Sequence, residues 1–146
     1  MSAAKRLLRE TIEISHWIVR AYVEDLTDAQ LLVRCVPGAN HIAWQLGHAI
    51  VATREDLAAI GHETFALPEG FAEAHAPEKA SVDDPSAFAT KSEYLAMMDQ
   101  AKAASLAAVE ATPEEELGQP APERMRDYAP TIGAVLMITA THWLMH

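Results

Sequence analysis

Two histidines close to the end of the chain, His142 and His146, are spaced so that both imidazoles lie on one face of a helix. Side chains four residues apart on a helix have Cβ atoms about 5–6 Å apart, and their ring nitrogens can converge on a metal ion at about 2.0–2.1 Å. The spacing therefore predicts a chelating pair. Because the chain contains seven histidines, a chance pair is easy to find, and the pair alone does not establish a metal site.

A third histidine, His48, lies within the apolar segment NHIAWQLGH, one helical turn after Trp44 and two turns before Glu55. From the residues alone, two interpretations of His48 remain open. It is either a metal ligand or a core side chain hydrogen-bonded to a backbone carbonyl, and the second is commoner for a lone buried histidine. We expect the neighbouring His41 to be a solvated or capping residue at the start of this helix.

Other reactive side chains form less specific patterns. Glu13 and His16 make one Glu-x-x-His pair, but di-iron bundles need two such pairs and the second is missing. His16 shares an inward-facing helical stripe, so we expect either a core histidine with satisfied hydrogen bonds or a role beside the site. Cys35 is the only cysteine, and we expect it to be a small buried side chain near a turn.

The elements that must position these residues are helical. Alanine and leucine recur throughout, and the apolar residues follow a helical period, which favours an all-α fold. We predict a four-helix bundle, with Asn40 as the cap of the second helix. Proline and glycine interrupt the segment 61–90, which we predict to be a long crossover between the second and third helices, a lid over a site, or both. The four helices are predicted over 4–25, 40–60, 92–111 and 131–146.

Composition and charge exclude several classes of protein. With 146 residues, half of them apolar, the chain fits a single domain over 1–146. A net charge of −10 and the lack of a basic stripe argue against nucleic acid as a partner. The longest apolar stretch, 131–145, is shorter than the about 20 residues of a membrane span. The single cysteine and the charged start of the chain indicate the cytoplasm.

A helical chain with N-x-IAW-x-LGH on its second helix and H-x-x-x-H on its last resembles the DinB/YfiT-like family of four-helix-bundle metalloproteins. The resemblance extends over almost the whole chain. It implies that the ligand triad is His48, His142 and His146. It also implies a divalent ion, commonly zinc or nickel, with an open position for water.

The resemblance further implies a metal-dependent reaction on a small molecule. Some family members transfer a low-molecular-weight thiol, and hydrolysis at the same ion is the competing possibility. We expect a pocket walled by Trp44, Trp143 and the segment 61–90, with His16 and Glu55 nearby. The alternative is a non-catalytic helical bundle that binds a metal or a ligand. The family also suggests a homodimer.

The end of the chain departs from the family pattern. Family members generally continue the last helix well past the second histidine of H-x-x-x-H, whereas this chain ends on it. No C-terminal cap precedes His146. Either the domain continues beyond His146 or His146 lies in a frayed terminal turn, and we expect the first, a domain that is incomplete at its C-terminus.

Overall fold

The computed structural model describes every residue from Met1 to His146 and contains helices, turns and loops but no strand. The only β-type contact is an isolated bridge between Pro120 and Thr131. The all-α fold predicted from the sequence is confirmed, and four of the helices are long. No helix combines the length and the apolar character needed to cross a membrane. The six α-helices are α1 (Ala3–Val23), α2 (Asp28–Leu31), α3 (Ile42–Ala59), α4 (Phe71–Ala74), α5 (Lys91–Ala111) and α6 (Ile132–Met145).

Side-chain caps define where the long helices begin. Ser2, Thr90 and Thr131 each accept a hydrogen bond from the backbone N–H three residues further on, at the starts of α1, α5 and α6. Such caps satisfy one of the four N–H groups that the first turn of a helix leaves unpaired. These local signals explain why the observed bounds agree closely with those predicted from the sequence.

The predicted cap of α3, Asn40, is wrong, because His41 occupies that position. Its Nδ1 accepts the N–H of Trp44 at 3.0 Å. The His41 ring is fully buried, and its Nε2 lies 3.0 Å from the carbonyl oxygen of Val82. Since Nδ1 is the acceptor, Nε2 carries the proton and donates it to that carbonyl. His41 therefore joins the start of α3 to the crossover.

The long helices pack so that α1 and α3 each contact both α5 and α6. One apolar cluster includes Val23, Ile50 and Trp143 and lies toward the C-terminal end of α6. A second cluster, which includes Ile12 and Leu57, lies toward the other end. The early turns of α3 and the last turn of α6 meet at the first cluster. This meeting point brings His48 close to the C-terminal histidines.

The crossover predicted over 61–90 contains α4 and two single-turn 3-10 helices, and a buried histidine anchors it. His75 Nδ1 lies 2.7 Å from the carbonyl of Phe71, so it donates there, and Nε2 accepts from the hydroxyl of Tyr94 at 2.7 Å. The His75 ring packs directly over Gly47 of α3. A side chain at position 47 would occupy the space of this ring. The crossover therefore lies against α3 beside His48.

Candidate metal centre

Three histidines converge at one end of the helical core: His48 of α3, His142 in the last turn of α6, and His146, which directly follows α6. One ring nitrogen of each lies within 4.8 Å of those of the other two. The Nε2 atoms of His142 and His146 are 2.9 Å apart. The centroid of the His48 ring is 5.2 Å from that of His142 and 5.0 Å from that of His146. The fold thus brings together three imidazoles from distant parts of the sequence.

The spacing of these nitrogens fits a divalent transition-metal ion. A tetrahedral ion with metal–nitrogen bonds of about 2.0–2.1 Å holds its ligand nitrogens roughly 3.3 Å apart. The distances of 2.9 Å and up to 4.8 Å bracket that value, so small rotations of the rings are sufficient. Imidazole suits zinc, copper, iron and nickel, whereas magnesium and calcium prefer oxygen ligands. The donor set therefore suits a transition-metal ion better than a hard cation.

The surroundings of the three imidazoles disfavour their charged forms. Burial, and after it the nearby His146 and His48, lowers the pKa of His142 to about 4. Burial also lowers the pKa of His48 and His146. For His48, a hydrogen bond to the His75 backbone and the negative charge of Glu55 act in the opposite direction. Because neutral imidazole is the form that binds metal, the triad is prepared for ligation at neutral pH.

Trp44 positions His48. The two rings stack with centroids 4.8 Å apart and planes 8° apart. The indole Nε1 donates to the carbonyl of Ala76 at 3.2 Å, which ties Trp44 to the crossover. Trp44, expected in the wall of the pocket, stacks on the His48 ring, and its ring centroid lies 6.4 Å from that of His146. Its contacts restrict the rotation of a potential ligand.

An apolar cavity of about 180 Å³ lies beside the triad, and His146 forms part of its wall. Trp143 lines this cavity, whereas the segment 61–90 contributes no lining residue. No lining side chain is an acid, a lysine or an arginine. The remaining lining residues are Val19, Tyr22 and Val23 of α1 and Ile42, Gln45, Leu46 and Ala49 of α3.

A second cavity, of about 500 Å³, borders His142 and is charged. Glu55, Asp56, Arg124 and Tyr128 contribute to its wall. Glu55 was predicted near the site, and the structure places it here, exposed to solvent. Arg124 and Tyr128 come from the Pro-rich connector before α6, and nothing in its sequence pattern indicated a place beside the triad.

Asp56 should make the stability of the protein depend on pH. Burial raises its pKa from 3.8 to about 6, and the positive charge of Arg124 opposes this only in part. Ionisation of the folded carboxyl is therefore unfavourable. The cost is absent well below pH 3.8, grows as the pH rises, and is complete above about pH 6. Asp56→Asn removes this cost and should raise the free energy of unfolding at pH 8 by up to about 3 kcal/mol.

Guanidinium unfolding at pH 5 and pH 8 measures this effect. The advantage of the asparagine variant over the wild type should be larger at pH 8 than at pH 5. Glu55→Gln is the matched control, since it neutralises an exposed carboxylate on the same helix. An Asp56→Asn advantage that does not change with pH would contradict the assignment.

His16 lies outside the triad, against Trp143, with ring centroids 4.7 Å apart. The expectation of satisfied hydrogen bonds is wrong, because neither ring nitrogen has a partner in the protein, and the Trp143 Nε1 also lacks one. Burial first, and then Lys102, lowers the pKa of His16 to about 4, which keeps the ring neutral. Thr53 and Ser105 likewise have buried hydroxyl oxygens without a protein partner. Buried atoms of this kind usually bind ordered water.

The expectation that Cys35 is buried is also wrong, because its thiol is free and exposed. It lies in a bend between α2 and α3. The adjacent Arg34 turns toward the crossover, where its guanidinium binds Asp83 at 2.7 Å and the carbonyl of Ala80 at 2.8 Å. This segment is therefore held by Arg34, and Cys35 contributes neither to the core nor to the site.

Comparison with known proteins supports the same family as the motifs. A family model described as the DinB superfamily matches residues 13–146, which include most of α1 and all of the later helices. No curated protein compared with the chain matches it. The match covers most of the chain, and all three converging histidines lie inside it. This chain therefore belongs to the DinB superfamily.

Proposed function

We propose that this protein is a divalent-metal-dependent enzyme that transfers a small thiol to an electrophilic small molecule, with hydrolysis as the competing reaction. The observation that carries the proposal is the convergence of His48, His142 and His146 within 4.8 Å beside a cavity. Three protein ligands leave a tetrahedral ion one position for an exogenous ligand, as in catalytic zinc sites. A closed structural site would instead need a fourth protein ligand, and no further histidine, cysteine or carboxylate joins the cluster.

The chemistry of the proposed reaction divides between the ion and the residues around it. When bound, zinc or nickel supplies a Lewis acid that lowers the pKa of a thiol or a water. Because the imidazoles are neutral, a bound divalent ion would keep its positive charge and would stabilise a thiolate, and Trp44 keeps His48 oriented. In the transfer, a sulfur–carbon bond forms, the bond to the leaving group breaks, and the leaving group takes the electron pair. The thiol proton passes to solvent.

The two cavities suggest how the reactants are arranged. The cavity beside His142 carries Glu55, Asp56 and Arg124, which can bind the polar groups of a thiol donor. Thiolate is softer than hydroxide and binds zinc more strongly, which favours transfer over hydrolysis where a thiol is present. The charged cavity is therefore the proposed entry for the thiol.

A rate screen tests this function. Zinc-loaded protein is mixed with glutathione, mycothiol or bacillithiol and a set of epoxides and activated halides, and product formation is compared with free zinc at the same concentration. The wild type should exceed free zinc, and His48→Ala should not. His62→Ala is the matched control, because His62 lies outside the triad and bonds to Thr112. No rate above free zinc, in protein holding one ion per chain, would favour a non-catalytic metal- or ligand-binding bundle.

A homodimer through the outer face of α1 and α6 is also part of the proposal. Leu7, Ile14 and Trp17 of α1 and Met137 and Leu144 of α6 are large apolar side chains exposed to solvent. The two helices pack against each other, and apolar side chains exposed on neighbouring helices are the kind of surface that an interface covers. Light scattering should show a dimer that Trp17→Glu converts to a monomer. If the wild type is a monomer at tens of micromolar, the proposed homodimer is wrong.

We place the reaction in the cytoplasm. The chain has one cysteine, and the thiol of Cys35 is free and exposed. Oxidising compartments favour paired cysteines, so an exposed single thiol is better suited to a reducing one.

A further inference from the structure

The apolar cavity beside His146 is built from three helices. Its deepest lining residues are the buried Val23, Leu46 and Ala49, and Tyr22 and Ile42 lie at its more exposed rim. A charged group that entered such a site would lose its hydration without gaining a partner, which is strongly unfavourable. The lining therefore selects neutral, apolar groups.

The size of the cavity limits what can enter it. Its volume is about 180 Å³, and an apolar protein cavity of about 150 Å³ is sufficient to bind benzene. Pockets for whole drug-sized ligands are larger, about 300–1,000 Å³. The cavity therefore has room for one aromatic ring or a branched aliphatic group of similar volume.

His146 belongs both to the triad and to the wall of this cavity. An apolar group bound there lies next to the histidine cluster. The charged cavity adjoins the triad through another histidine, His142. The triad thus separates an apolar compartment from a polar one, and each compartment suits a different reactant.

We propose that the apolar cavity is the subsite for the electrophile, and that it selects neutral electrophiles carrying one compact apolar group, such as a single aromatic ring. The proposal rests on the proposed function of the triad, because it makes this cavity part of the same reaction. Gln45 is the one side chain with an amide in the lining. Its Nε2 donates to the carbonyl of Asn40, which leaves its Oε1 as the amide acceptor for a polar atom of the substrate.

Fluorine NMR of the full chain with fluorobenzene tests the proposal without an enzyme assay. Fluorobenzene should bind the zinc-loaded protein, and 4-fluorobenzylammonium, a cationic probe that neither the apolar lining nor the ion can pair with, should bind at least about tenfold more weakly. Replacing zinc with cobalt should broaden the fluorine signal of bound fluorobenzene, because the probe lies beside a paramagnetic ion. Ala49→Leu fills the cavity and should weaken fluorobenzene binding at least about tenfold. Ala58→Leu, the same change at an exposed position of α3, should leave it unchanged.

The outcomes separate this proposal from the function on which it rests. Failure of fluorobenzene to bind, or equal binding by folded Ala49→Leu, overturns the subsite. If Ala49→Leu does not fold, Ile42→Trp blocks the rim without compressing the core, and the same criterion applies to it. Unbroadened fluorobenzene in protein holding one cobalt per chain also overturns the subsite. If the protein binds neither zinc nor cobalt, the proposed function fails, and the variants alone decide whether the cavity binds the probe.

Discussion

Replacement of His48 by alanine should lower the affinity of the protein for zinc by more than about 100-fold. His48 is the only residue of the triad that comes from α3, and the other two lie one turn apart at the C-terminal end of α6. Without His48, only two imidazoles remain to bind the ion, and water has to fill the vacated ligand position. Changes to groups that merely orient a metal ligand cost about 10–100-fold in affinity, so the loss of a ligand itself should exceed that range.

Competition with a chromophoric chelator at pH 7.5 measures this affinity. His142→Ala and His146→Ala should give losses of similar size, because each also reduces the site to two ligands. His62→Ala should retain wild-type affinity, since it removes a histidine that lies away from the cluster. Zinc should also raise the melting temperature of the wild type and of His62→Ala, but not that of His48→Ala. The loss of a direct ligand should exceed the about 10–100-fold loss that follows the removal of a group that only orients one. A zinc affinity of His48→Ala within about threefold of the wild type would therefore exclude the three-histidine site.

Gly47→Ala should destabilise the fold and disturb the site together. A Cβ at Gly47 would overlap the ring of His75, including its Nε2. That ring is buried, and both of its nitrogens form hydrogen bonds, one to Phe71 and one to Tyr94. Moving the ring away would therefore break these bonds. Overpacking of a core typically costs about 1–3 kcal/mol, and the severity of this overlap places Gly47→Ala at about 3 kcal/mol. Because His48 follows directly, zinc affinity should fall as well.

Chemical unfolding of Gly47→Ala, with Gly118→Ala as the matched control, measures the cost. A Cβ at Gly118 meets no atom within 4 Å, so this variant should be nearly as stable as the wild type. In a His75→Ala background, Gly47→Ala should cost less than about 1 kcal/mol, because the obstructing ring is gone. If the free energy of unfolding of Gly47→Ala lies within about 0.5 kcal/mol of the wild-type value, as for a harmless substitution, the crossover does not pack on α3 as described.

The sequence by itself determined the helices and the pairing of His142 with His146. Both depend on interactions within about one helical turn. Apolar periodicity and hydroxyl caps act locally, so the bounds of α1, α5 and α6 follow from their own residues. The same spacing rule places the two histidines on one face of α6 whatever packs against it. The place of His48 beside them was an implication of family resemblance, since no local rule relates positions so far apart in the chain.

Only the tertiary structure decided which side chains surround the triad. The apolar cavity needs α1, α3 and α6 together, and the charged cavity needs Arg124 and Tyr128 from an irregular connector. The cap of α3 depends on the His41 ring, which is held by the distant Val82 carbonyl. The two nitrogens of His16 lack hydrogen-bond partners in the protein, and Cys35 is exposed, although each was expected to be a satisfied or buried side chain. Contacts of this kind follow from how helices pack against one another, and no pattern within a single helix records them.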